Sequence, residues 1–155
     1  MGSSIKQPTI EGILYGILLS LALFGITCFA KDKEINFVSH ELNLKAINLI
    51  SENFGKKGEI SRRTIAQYEN LAFTLVSIGK PEEPHIHQKS DLIVILLEGE
   101  GEINIEGEKK YVEKGDIIFI PKNKVHFFVN KGKNTALALV ISSPPLQKED
   151  YLPVK

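Results

Sequence analysis

A second cysteine is missing from this chain of 155 residues. Cys28 stands alone, so no intrachain disulfide can form, and a reducing or an oxidising compartment is equally compatible with that. An excess of charge is missing as well, since 19 basic residues balance 19 acidic ones. With no basic face to attract phosphates, nucleic acid is not an expected partner. From Leu92 onward no helical periodicity interrupts the strand-like pattern, which removes a parallel βαβ sheet from consideration. What is present is an ordinary globular balance, 43% hydrophobic and 25% charged, in a chain long enough for one domain with a real core.

The run from Ile13 to Ala30 carries no charge; Lys6 precedes it and Lys31-Asp32-Lys33-Glu34 follows. A soluble helix would show a polar stripe, and this one shows none, so it reads as an N-terminal hydrophobic helix outside the core. Residues 1–30 are then a signal peptide or a membrane anchor. A cleaved secretory signal places Cys28 and Ala30 at the two small-residue positions before the cut. An uncleaved single-span anchor needs Ile10 and its neighbours to lengthen the span. Lipid modification of Cys28 is the third reading, although Gly25-Ile26-Thr27 departs from the usual bacterial lipoprotein pattern. Each reading predicts an exported protein, periplasmic or anchored outside the cytoplasm, with membrane contact confined to this segment.

Residues 31–60 read as a leader with a short helix. Leu42, Ala46, Leu49 and Ile50 have the spacing of one helical face, Ser39 is a candidate cap, and Gly55-Lys56-Lys57-Gly58 ends the pattern. His40 reads as a solvated helix-end residue. Residues 61–145 read as a β-barrel and 146–155 as a C-terminal tail. Between Asn70 and Ile78 both alternating sets are nearly all apolar, Leu71, Phe73 and Leu75 on one side, Ala72, Thr74 and Val76 on the other, so both faces of that strand should be covered. Short strands then alternate with turns at Gly99, Gly107, Gly115 and Pro121. Many short strands with such punctuation indicate an all-β sandwich or barrel.

Three of the four histidines lie inside this region. His85 and His87 are two apart, and side chains two apart on a strand point the same way. His126 follows about 40 residues later, at the start of another strand signal. If the two strands are neighbours, three imidazoles converge, and imidazole suits zinc, copper, iron and nickel.

The glycines, prolines and histidines of this stretch resemble the two motifs of the cupin superfamily. Gly79, His85, His87 and Gly99 fall into the first, G-x5-H-x-H-x3-4-E-x6-G. Gly115, Pro121, His126 and Asn130 fit the second, G-x5-P-x-G-x2-H-x3-N, with Asn123 in place of its middle glycine. Asparagine is among the few other residues that tolerate a positive φ, so the turn should survive. The resemblance covers roughly Leu71 to Ile141 and implies a double-stranded β-helix, or jelly-roll barrel.

It also implies one divalent metal ion, zinc, iron, manganese, nickel or copper, held by His85, His87 and His126. The family's glutamate ligand would fall at Leu92, which cannot bind a metal. Asp91 is the nearest carboxylate and could substitute, but a one-residue slip turns a strand's side chains to the opposite face, so it needs a bulge or a shorter loop. Phe73, Phe119, Phe127, Phe128, Ile95 and Leu97 read as core, those on the histidine face lining an apolar cavity for a small organic ligand. Glu82 and Glu83 read as a solvated loop. The resulting expectation is a metal-dependent oxygenase, isomerase or lyase; the alternative is a non-catalytic small-molecule binding or sensing barrel. A homodimer formed through an edge strand is the further partner that the resemblance implies.

Overall fold

The computed structural model describes residues 35–38, 46–49 and 54–154. Two short strands, β1 (Asn36–Val38) and β2 (Ala46–Asn48), pair antiparallel. The remaining ten strands form two five-stranded sheets. One has the order β3 (Ile60–Gln67), β4 (Ala72–Ile78), β11 (Ala136–Ser143), β6 (Asp91–Glu98) and β9 (Ile117–Ile120). The other has the order β12 (Tyr151–Pro153), β5 (His85–His87), β10 (His126–Asn130), β7 (Glu100–Ile105) and β8 (Glu108–Glu113). Every pairing is antiparallel. Because β6 and β9 lie in one sheet while the intervening β7 and β8 lie in the other, the chain crosses repeatedly between layers, as a jelly roll does.

The period of two along each strand sorts the apolar residues into two layers. Val76 and Ile78 on β4, Leu92 and Leu96 on β6, and Ala136 and Ala138 on β11 point between the sheets, where Ile103, Ile120 and Phe128 meet them. The alternate residues Leu75, Leu97, Leu137 and Leu139 point out of the same sheet and form a second buried layer with Leu49, against which Phe37 and Phe54 pack. The expectation that both faces of residues 70–78 are covered is met in this way. The sheet holding β5 and β10 carries polar residues on most of its outer face, as β8 illustrates with five of its six residues exposed.

The short helix expected before the barrel does not form where it can be seen. Ala46–Asn48 are β2, and Leu49 is buried in the outer layer. Ala46–Asn48 pair instead with β1, and the three asparagines of 43–53 weaken a helix. The N-terminal hydrophobic helix at 13–30, His40 and the rest of the 39–53 segment lie outside the described residues. The segment 146–155, expected to be a tail, contains a single 3₁₀ turn at Lys148–Asp150 followed by β12, which pairs with β5. Phe119, expected in the core, is 58% exposed, because Ile118 and Ile120 take the inward positions of β9.

Two backbone positions hold the loops near the histidines. Asn123 adopts φ 62°, the left-handed conformation that its motif position demands, and its N–H donates to the His87 carbonyl at 2.7 Å. Gly79 lies so close to the Lys56 carbonyl that an added Cβ would sit 2.2 Å from that oxygen. A side chain there would push apart the Gly79–Glu59 and Gly58–Gly79 backbone hydrogen bonds, at 2.8 and 2.9 Å, that lead the chain into β5.

Candidate metal centre

Strands β5 and β10 are neighbours, with His85 directly opposite His126. All three histidines are buried, and one ligand atom from each lies within 4.8 Å of the others. Ring centroids are 4.3 Å apart for His85 and His126, 5.2 Å for His85 and His87, and 5.4 Å for His87 and His126.

The backbone fixes which nitrogens face the centre. His85 Nδ1 lies 2.8 Å from the Glu83 carbonyl and His126 Nδ1 lies 2.8 Å from the Lys124 carbonyl. A carbonyl oxygen can only accept, so both rings carry their proton on Nδ1 and leave Nε2 as a bare lone pair. His87 Nδ1 faces Asp150 Oδ2 at 3.4 Å, long for a hydrogen bond but close enough to favour the same tautomer. Asp150 is 1% exposed, and its other oxygen accepts the Lys89 backbone N–H. Carboxylates and carbonyls behind metal-binding histidines orient the ring in this fashion.

Charge on the imidazoles is disfavoured. Burial lowers the pKa of His87 to about 4, aided by its two histidine neighbours and opposed by Asp150. Burial also lowers His85 and His126, against the carbonyls that accept their Nδ1 protons. Neutral imidazoles are the form that binds a metal. Bonds of about 2.0–2.1 Å to one ion require each ring to move inward by less than about 1 Å from the observed spread. The trio therefore fits a divalent ion in its donor chemistry and nearly in its spacing.

Asp91 does not join the trio. Its Oδ1 accepts the Lys122 backbone N–H at 2.8 Å and so pins the turn between β9 and β10. No bulge shifts the start of β6, so the inward position belongs to Leu92, which is 4% exposed and lines the cavity. Sequence reasoning missed four other residues. Glu82, expected on a solvated loop, is mostly buried, with Oε2 accepting the Phe128 N–H at 3.1 Å and Oε1 lying 4.0 Å from Arg62. Burial raises its pKa against the opposing pull of Arg62. Arg62 is on the cavity-lining side of β3 although its side chain stays 53% exposed, a placement that the alternation Ile60-Arg62-Thr64 could have signalled. Asp150 and Tyr151 arrive on the C-terminal segment, where no spacing links them to the histidines. The Tyr151 ring stacks on His85 at 4.6 Å.

Two connected spaces meet at this point. A cavity of about 100 Å³ extends between the sheets and is lined mainly by Val, Ile and Leu side chains. An open cleft of about 750 Å³ lies outside it, rimmed by Glu59, Lys80, Glu83 and Lys148. Arg62, Glu82, His85, His87, Leu146 and Tyr151 border both.

Residues 73–142 match the cupin domain family model. An uncharacterized protein of Aquifex aeolicus is 38% identical over 107 residues, a match covering 69% of this chain and 88% of that one. The chain belongs to the cupin family. The pectin degradation protein KdgF of Dickeya dadantii is a 31% identical cupin relative over 80 residues, covering 50% of this chain and 73% of that one. The solved structure of KdgF from a Halomonas species superimposes with a TM-score of 0.55 at 26% identity, covering 61% of this chain and 88% of that one.

Proposed function

We propose that this cupin binds one divalent metal ion through Nε2 of His85, His87 and His126 and presents it to a small organic ligand entering from the cleft, as a metal-dependent enzyme. The observation that carries this reading is the convergence of three buried imidazoles, two of which hold Nδ1 on a backbone carbonyl and so keep Nε2 free as a donor atom. Such an ion would polarise a ligand oxygen or acidify a bound water. Three protein ligands leave coordination positions for that purpose. Glu82, beside the histidines and held toward its protonated form, supplies a carboxyl able to give or take a proton at the cavity mouth. That carboxyl favours the enzyme over the non-catalytic binding or sensing barrel.

Elemental analysis of the purified full-length chain tests the proposal. The expected content is about one divalent metal per chain, zinc, iron, manganese, nickel or copper. Wild-type metal content in a His87→Ala, His126→Ala double variant would overturn it. Turnover of candidate ligands, with oxygen uptake where the metal is redox-active, separates enzyme from carrier.

Two further parts belong to this proposal. Residues 13–30 direct export, supported by their uninterrupted apolar run; recovery of the uncleaved, unmodified chain from the soluble cytoplasm would refute that. A homodimer forms through β9, an edge strand whose Ile117 and Phe119 are exposed beside Ile93.

A further inference from the structure

The shape and lining of the two spaces bear on what the ligand is, and the argument rests on the proposed site. Away from the mouth, where Arg62, Glu82, Tyr151 and the imidazoles stand, the inner wall is aliphatic, with Val94, Leu96, Ile118 and Val140 among its members and Thr74 as its hydroxyl. A polyhydroxylated ligand placed there would strip each hydroxyl of water with almost nothing to replace it. Dry apolar cavities of about 150 Å³ take a benzene-sized guest. The 100 Å³ found here therefore admits a smaller group, no more than about five heavy atoms.

Arg62 stands where that cavity opens. Its guanidinium is borne on the cavity-lining side of β3, and among the described residues its ion-pair partner is Glu82 at 4.0 Å. That separation is too long for a fixed pair, since charge-assisted hydrogen bonds close to about 2.7–2.9 Å. Glu82 in turn spends Oε2 on the Phe128 N–H. Arg62, with 53% of its side chain exposed, thus borders both cleft and cavity with most of its donors unspent, and its planar fork of donors matches a carboxylate.

We infer that the ligand is a short-chain carboxylic acid, its carboxylate held by Arg62 at the mouth and its aliphatic chain inserted between the sheets. The depth of the cavity then selects chain length, and Arg62 selects the acid over a neutral analogue.

The test is calorimetric titration of the full-length protein, metal-loaded and metal-free, with the straight-chain acids from acetate to heptanoate, the matching primary alcohols, and galacturonate. Affinity should climb about fourfold per methylene and then break after about four or five carbons. Each alcohol should bind at least about tenfold more weakly than its acid. Arg62→Gln should erase the acid-to-alcohol ratio while keeping the length dependence. Ala138→Leu, on the cavity wall, should move the break to shorter chains and leave that ratio intact. Should Ala138→Leu fail to fold, Val94→Ala probes the same wall and should move the break to longer chains.

A flat length series, galacturonate binding above every acid, or an unchanged ratio in Arg62→Gln would overturn the inference. Failure of the metal reading appears separately, as a chain that takes up no ion. Arg62 and the aliphatic wall exist without the ion, so the metal-free titrations still decide the ligand class.

Discussion

His87 depends on a carboxylate that lies 63 positions further along the chain, Asp150, buried at 1% exposure and 3.4 Å from its Nδ1. If that contact orients the ring, Asp150→Asn should weaken metal binding by about 10- to 100-fold, read by competition with a chelating dye. His87→Ala should remove most of the metal by elemental analysis. Asp91→Ala should leave metal content at wild type and lower stability by about 1 kcal/mol through the lost Lys122 hydrogen bond, measured by urea unfolding. Acidity gives another outcome at this scale. Burial lowers the pKa of all three histidines in the folded state, so the unfolded chain takes up protons first as pH falls below 6.5. The metal-free protein should therefore lose stability between pH 6.5 and about 4, by on the order of 3 kcal/mol from His87 alone. Glu82 has the opposite sign, because its raised pKa favours the folded state on acidification, but it is one group against three. Urea midpoints across that range check the slope; a midpoint that rises on acidification would contradict it.

Strands β4 and β11 show which parts of the sequence were readable and which were not. The alternating sets of β4 announced a strand covered on both sides, and the structure has both layers there, with β11 beside it sharing them. The histidine spacing was readable for the same reason, since period two puts 85 and 87 on one face and the Gly and Pro turns fix where β10 starts. What covers the outer layer was not readable. The spacing of Leu42, Ala46 and Leu49 suits a helix, yet β2 lies in a hairpin whose burial comes from Leu75 and Leu97, residues that no local pattern connects to it. Asp150, Glu82 and Arg62 escaped likewise, because each takes its role from a neighbour on a distant stretch of chain, His87 for Asp150, Phe128 for Glu82 and the Glu82 loop for Arg62. The hairpin can be tested directly. Phe37 packs on Phe73 with ring centroids 4.9 Å apart. Phe37→Ala should cost about 2 kcal/mol, below the usual value for a fully enclosed ring because Phe37 is half-buried, and thermal unfolding reads it.

At the scale of the molecule the two sheets are unequal. One is enclosed by apolar layers on both sides; the other, which carries every candidate ligand, has one face in water. The enclosed sheet nevertheless leaves Ile93, Ile117 and Phe119 exposed at its β9 edge. If a second copy covers them, Phe119→Glu should convert a dimer to a monomer in sedimentation equilibrium while metal content holds. A wild-type chain that sediments as a monomer would remove the dimer.

β12 is three residues long, lies at the rim of its sheet and is laddered to β5 alone. It nonetheless delivers Tyr151 onto His85 and follows directly on Asp150. Detaching it would break few backbone bonds, yet it would bare His85 and His87 from the side and release the contact behind His87. Deuterium should reach the amides of residues 86 and 152 well before those of β4 and β11. If the histidines hold an ion, its entry and exit would then need only the lifting of this one flap, with the rest of the barrel still closed.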